Sequence, residues 1–571
     1  MGQTDSTGTD TGNPARQEQI RWWPGVVTVT LQWLARFAVP FFVPAAAIFG
    51  VLSGVVGGFV VLAWWVFFSR ASRAERWGAA VLMPLALMAT SPLLDESIAT
   101  AGMGMLFFLY AIPGLSLAFV VWAVASRRLA DGPRLAAMVA TIVLACGAWT
   151  LVRSDGMTGD GAAQFAWRWT QTPEERFLAH LGDEPMTATV PANTTTARAM
   201  STRGREIDAE VTTSAEWPGF RGPFRNSSVP GVRIETDWSR SAPVEVWRRP
   251  IGPGVSSFAV HGDRFYTQEQ RGDEEVVASY HLRTGEPAWR HHDSDRFWDS
   301  HAGAGPRSTP TLSGGRVYTF GATGILNAID EADGALVWSR NAATDTDATM
   351  PGWGFASSPL VVGDVVIVAV GGAFAAYDRA TGATSVEPAS GTVLWEHPWP
   401  GAPIVQPAQT ANGDVLLSTA GASGALGLRR LGVSRGQGGW TLEEQWTSTA
   451  MKPYFNDFVV HDGHAFGFDG SILAAVNLED GARAWKGGRY GHGQLLLLPD
   501  QGLLLVLAER GDLVLVEATS DTFTELSRFP AIEGKTWNHP VLVEDLLLIR
   551  NDHEMVAFRL PLAGDGALSQ R

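Results

Sequence analysis

The sequence predicts an N-terminal transmembrane α-helical bundle of about five helices followed by an all-β propeller of seven blades, with six and eight as the alternatives. Three observations point there. Long apolar runs crowd the first 152 residues. From about residue 245, short β-rich runs alternate with Gly/Asp turns and recur at a mean step of about 47 residues, the length of a four-stranded blade. The charge also divides: residues 1–152 carry 9 Arg against 7 Asp and Glu, the remainder 34 basic against 51 acidic residues.

Whole-chain composition narrows the function classes. At 571 residues and 46% apolar, the chain is too long for one small domain. Its single Cys excludes a disulfide framework, a Cys-rich zinc site and an iron–sulfur cluster. The net charge of −15 argues against a nucleic-acid partner, which calls for a basic face. No P-loop, zincin helix or G-x-S-x-G elbow is present.

Apolar stretches near 22–39, 45–68, 77–94, 103–125 and 134–152 are each long enough to cross about 30 Å of hydrocarbon as a helix. Gln32 and Arg36 interrupt the first, and Arg36 is expected to snorkel to the interface. Gly54 and Gly58 form a small-xxx-small step suited to close helix packing. The loops with Arg70, Arg73 and Arg76 and with Arg127, Arg128 and Arg134 face the cytoplasm by the positive-inside rule. Everything after about 152 then lies outside the cytoplasmic membrane. Residues 1–20 read as a polar, disordered cytoplasmic tail and 21–152 as the membrane region.

Residues 153–215 read as an extracytoplasmic linker. Within it, 167–181 has the pattern of a short helix, capped at Thr172-Pro173-Glu174-Glu175. Residues 216–571 form the propeller. Repeat starts fall near 255, 308, 357, 403, 454, 492 and 538. The last repeat lacks its outer strand, and PVEVWRR at 243–249 supplies it, closing the ring and removing two sheet edges. Trp289, Trp338, Trp395, Trp446 and Trp485 are expected at equivalent blade ends, filling the gap between neighbouring sheets.

The turn-and-Trp pattern carries a resemblance. Ala328-Ile329-Asp330 with Asp333-Gly334 and Trp338, Ala376-Tyr377-Asp378 with Thr381-Gly382, and Ala475-Val476-Asn477 with Asp480-Gly481 and Trp485 resemble pyrroloquinoline-quinone (PQQ) repeats. WPGFRGPFRNSSVPG at 217–231, GPRSTPT at 305–311, WGFASSPLVVGD at 353–364 and TWNHPVLVEDLLLIRN at 536–551 resemble bacterial PQQ-like, BamB-like propeller proteins with a multipass membrane anchor. The resemblance covers about 217–561 and implies a quinoprotein alcohol dehydrogenase-like fold. The order of spans and propeller is also similar to membrane-bound quinoprotein glucose dehydrogenase, which oxidises sugars and passes electrons to a quinone. The single Cys departs from the adjacent pair of the alcohol-dehydrogenase type.

Ligands of propellers sit at a mouth of the central channel, on the loops that lead into the innermost strands. The polar residues expected there are His301, Arg307, Trp353, Tyr454, Asn456, Arg489, His492, Trp537 and Asn538. A planar ligand would stack on Trp353 or Trp537. Arg307, Arg489 or Lys535 would pair with its carboxylates. Asp457 is the candidate general base, or with Asn456 or Asn538 a source of oxygen ligands for Ca²⁺. Against each stands a structural use, since polar residues there hydrogen-bond neighbouring loops. No His/Cys metal motif is present. Two functions follow. The first is a non-enzymatic binding or scaffold module at the bilayer, with envelope proteins as partners. The alternative is a PQQ-dependent dehydrogenase of a sugar or alcohol, with PQQ and Ca²⁺ as cofactors.

Overall fold

Six antiparallel four-stranded sheets and one of five strands, in which Thr189–Val190 adds parallel to Pro287–Asp293, follow one another along the second half of the chain in a computed structural model. It describes residues 21–42, 47–181, 189–190, 215–386, 397–401, 404–421, 424–437 and 439–564. The expected tail at 1–20 and, within the expected linker, residues 182–188 and 191–214 lie outside the described residues. Contacts divide the chain into two units: Met1–Asp155 with Phe165–Thr170, and Gly156–Gln164 with Gln171–Arg571.

In the first unit, three helical segments are long and apolar enough to cross a membrane: Phe49–Phe68, Leu106–Arg128 and Asp131–Leu151. The expected first and third spans are also helical but are not among them. The first, Trp23–Trp33, passes through a π turn at Leu34–Ala38 before Val39–Phe42. The other, Arg73–Thr90, opens on a Ser72/Glu75 capping box and contains Pro84. Gly54 and Gly58 meet the helix Leu106–Ala125: an added Cβ would come within 3.1 Å of Pro113 and 2.3 Å of Ile112. Arg134, expected as a loop charge, lies in the helix Asp131–Gly147 and donates to both oxygens of the buried Glu75, at 2.5 and 2.7 Å.

The second unit is the propeller. The sheets span 259–293, 311–341, 360–386, 408–448, 459–489 and 494–530, and the seventh joins 541–559 to Val244–Pro250. That last pairing runs antiparallel from Glu554↔Pro250 to Arg559↔Val244, so the strand from the start of the domain closes the ring at its end. The innermost strands come first in each repeat. Gln494–Leu498 and Leu503–Leu507 are buried throughout, because sheets pack on both their faces.

One device repeats from blade to blade. Trp289 lies opposite Ser279, Trp338 opposite Ala328, Trp446 opposite Arg430, Trp485 opposite Ala475 and Trp247 opposite Ala557, each beside a register shift. Each indole N–H donates to a carbonyl in the next blade, on Glu331, Arg379, Leu478, Thr519 and Leu282 in the same order. Four of the rings cover a turn glycine. A Cβ on Gly334, Gly382, Gly481 or Gly285 would lie 2.6–2.8 Å from the ring of Trp289, Trp338, Trp446 or Trp247. All four glycines also have positive φ, which the turn requires. The turn glycine and the Trp are thus two halves of one contact between neighbours. In the third blade the register puts Val386, not Trp395, in this place. Trp395 itself lies outside the described residues. The sixth blade has Ser527 there.

The helix expected over 167–181 is shorter, Pro173–Leu181, because Ala163–Trp167 pairs as a strand with Val152–Met157; it begins, as expected, on Thr172, which exchanges capping hydrogen bonds with Glu175. Its Glu174 pairs with Arg296 at 2.8 Å, holding the helix against the first blade.

Candidate functional site

With four antiparallel strands per blade, the loops into the innermost strands and the turns between second and third strands share one end of the channel. This end is called the mouth. Two segments of the chain reach into the channel, and they do so differently.

The segment 217–231 lies along the innermost strands inside the ring. Trp217 exchanges backbone hydrogen bonds with Val260 of the first blade, and the Pro218 carbonyl accepts from Leu312 of the second. Arg225 donates to the Pro359 carbonyl and accepts from Gln406, at the third and fourth blades. Arg221 donates to the Phe458 carbonyl at 2.7 Å, the Ser227 carbonyl accepts from the Leu497 amide, and Ser227 Oγ lies 3.0 Å from His539 Nε2. One segment therefore contacts all seven blades. Arg221, Arg225 and Ser227 hold left-handed backbone conformations, with φ between 52° and 65°. Such geometry in non-glycine residues persists only where the surroundings enforce it.

Asp457 belongs to this plug. It is buried, faces Arg221 at 3.4 Å and lies 4.0 Å from His539. Burial raises its pKa, and the Arg221 guanidinium works against that rise. Burial, aided by Arg221, pushes His539 down to about 3. His539 is therefore neutral at pH 7, with Nε2 the acceptor for Ser227 and Nδ1 the donor to the Pro540 carbonyl.

At the mouth, the structure brings together His492, Trp537 and the loop of His301, with Phe455, Lys535 and Glu509. The His492 ring stacks on Phe455 at 5.3 Å, and Phe455 meets Trp537 at 4.7 Å. Glu509 Oε1 accepts from Trp537 Nε1 at 2.8 Å and from the Gly159 amide at 2.7 Å. Its Oε2 accepts from the His492 amide at 3.1 Å. Gly159 sits on the His492 ring so closely that a Cβ would come within 2.1 Å of it. The Met157 amide reaches the His301 carbonyl at 3.4 Å, and Lys535 donates to the same carbonyl at 3.3 Å. The Gly156–Gln164 segment thus occupies this part of the mouth. Burial lowers the pKa of His492, opposed by Glu509 and Asp160.

The other expected residues are placed elsewhere or used otherwise. Arg307 pairs with Asp299 at 2.5 Å and donates to the Gly303 and Gly305 carbonyls, closing its own loop. Asn538 donates to the carbonyls of Gly254 and Ser256. Asn456 is buried and accepts from the Tyr454 amide, while Tyr454 packs on Phe455. Arg489 donates to Ser471 and is exposed. Trp353 is 58% exposed. Arg550, fully buried beside them, spends its guanidinium on Thr267 and on the Gln268 and Gly252 carbonyls.

Sequence reasoning missed Glu509, the hub of the mouth. Its only signal is a carboxylate directly after the apolar strand LLLVLA. It also missed Gly159, which is distant in sequence.

Residues 237–387 match the profile of the family described as outer membrane protein assembly factor BamB. The propeller carries PQQ-like repeats of that kind. No curated protein matches. Among solved structures, BamB from Moraxella catarrhalis is 15% identical with a TM-score of 0.31, covering 55% of this chain and 83% of that one. Quinohemoprotein alcohol dehydrogenase ADHIIG from Pseudomonas putida HK5 is 12% identical with a TM-score of 0.41, covering 61% and 81%. The computationally designed Ika8 protein is 12% identical with a TM-score of 0.33, covering 58% and 100%. Likeness at this level carries no information on activity.

The resemblance to quinoproteins implies PQQ with Ca²⁺, and neither Arg307 nor Asp457 is placed to fit that pair. Arg307 is engaged by Asp299, and Asp457 faces a guanidinium rather than an open oxygen site. Among the described residues, no three His, Cys, Asp or Glu side chains converge to hold a metal ion.

Proposed function

We propose that this chain is a membrane-anchored binding or scaffold module whose propeller presents a rigid surface to envelope partners. One observation carries the reading: Glu509, the carboxylate at the centre of the mouth, is engaged by its neighbours and by the chain's own Gly156–Gln164 segment. Its donors are Trp537, Gly159 and His492. A redox cofactor needs the opposite, donors and cations held free for it.

Calorimetric titration of the detergent-solubilised full chain with PQQ and Ca²⁺ tests this. No saturable binding is expected. One-to-one binding abolished by a chelator would sink the scaffold reading and turn the protein toward the dehydrogenase alternative.

The proposal includes a multipass anchor in the cytoplasmic membrane, with the propeller on the outer side. Three apolar helices support the anchor. The arginines at 70, 73, 76, 127 and 128 support the orientation. Cys146 is buried, so introduced cysteines can report topology. An impermeant maleimide should label Ser520→Cys in intact spheroplasts and Leu129→Cys only after lysis. The reverse pattern would invert the orientation.

A further inference from the structure

Arg36 lies in the π turn Leu34–Ala38 of the first helix and does not snorkel free. Its guanidinium is 5.1 Å from the ring of Phe37 and 5.1 Å from that of Tyr110 on the helix Leu106–Ala125. Its Nε is buried without a hydrogen-bond partner, and no carboxylate pairs with it among the described residues. Four residues earlier, Gln32 is 3% exposed. It donates to the Gly54 carbonyl, while its Oε1 has no partner among the described residues. Two buried polar atoms on neighbouring turns are thus left open, one a donor on a cation. A π turn is a common way for a helix to present side chains to a ligand.

An apolar groove of about 480 Å³ runs beside them, lined by Val29, Trp33, Phe37 and Leu117. Phe37 belongs to both features: one part of its surroundings is the groove, the other the guanidinium. A charge within the hydrocarbon region requires a counter-charge or a polar partner, and none is supplied by the described protein. The aromatic rings favour a cation near them but leave its N–H donors unfilled.

We propose that Arg36 and this groove form a site for one bilayer phospholipid, its phosphodiester on the guanidinium and an acyl chain along Trp33, Phe37 and Leu117. A phosphate oxygen supplies the acceptor that Arg36 lacks, and an acyl chain matches the apolar lining. The inference rests on the reading of the first unit as a membrane anchor, and it is independent of what the propeller binds.

Native mass spectrometry of the full chain, released from mild detergent, tests it. Wild-type protein should retain about one phospholipid per chain, a stoichiometry set by the single guanidinium. Arg36→Gln should lower that occupancy at least several-fold, and so should Leu117→Trp, which fills the groove without touching the charge. Arg36→Lys should retain the lipid, and Arg127→Gln, in a loop, should match wild type. Gel filtration and thermal midpoint check that each variant is folded, and the Leu117→Trp arm carries the test if Arg36→Gln fails to fold. Equal occupancy in wild type, Arg36→Gln and Leu117→Trp overturns the site, as does wild-type protein from the membrane fraction carrying no lipid. Recovery of the chain in the soluble fraction without detergent would instead remove the anchor reading, and this site with it.

Discussion

The propeller channel receives two segments of its own chain, and they are held by different physics. The plug at 217–231 contacts every blade and buries Arg221, Ser227 and Asp457 beyond the reach of water. The Gly156–Gln164 segment rests at the mouth on contacts that include two amide hydrogen bonds and one close ring contact. Burial of a charge makes the first all-or-none, since removing one partner strands the other in a low dielectric. Peripheral hydrogen bonds make the second separable, because water can replace each of them. The plug thus belongs to the fold, whereas the mouth segment is held at its periphery.

Breaking the plug should have the largest effect. Arg221→Ala leaves Asp457 buried and uncompensated, and removes the donor to the Phe458 carbonyl. A loss of about 3–5 kcal/mol in denaturant unfolding of the propeller is expected. A change below about 1 kcal/mol would show that the plug is not integral to the ring.

The next effect separates the two regions by pH. His539 is pushed down to about 3 by burial, so the folded state binds fewer protons than the unfolded state. Its contribution is therefore present above the unfolded value of about 6.5 and is lost as pH falls toward the folded value. His539→Gln should flatten the stability profile between those limits, by an amount on the order of 3–5 kcal/mol at the acid end. An acid limb as steep as that of the wild type would sink this account.

The smallest global effect is expected at the mouth. Glu509→Gln replaces one of two acceptors, which together face three donors, with a further donor. Propeller unfolding should shift by about 1 kcal/mol or less. Hydrogen exchange at residues 157–162 should meanwhile rise about tenfold. A large global loss with unchanged exchange would reverse the contrast between plug and mouth.

The legibility of the molecule follows the same division. Repeat starts, seven blades and closure by the strand at 243–249 were readable because a blade carries its own turn glycines and hydrophobic alternation. The Trp positions were readable at Trp289, Trp338, Trp446 and Trp485, where the blade period places them opposite the third strand. They failed at Trp395, where the strand pairs Ala376 with Val386 instead. The mouth was readable only in part. His492, Trp537 and the His301 loop do meet, since each precedes an innermost strand. Arg307 and Asn538 sit on similar loops, yet Arg307 closes its own loop and Asn538 ties its loop to the one that enters the first blade. No local pattern distinguishes a side chain aimed at a ligand from one aimed at its own backbone.

Local chemistry, acting through periodicity, turn residues and span length, by itself determined that apolar helices precede a ring of β-blades. Tertiary structure alone decided that Asp457 would face Arg221 rather than a cation, and that Glu509 would gather Gly159 from some 350 residues away. The physical reason is range. Secondary structure and blade stacking are dictated by neighbours in sequence, whereas the partner of a buried charge is whatever the closed ring brings within hydrogen-bonding distance.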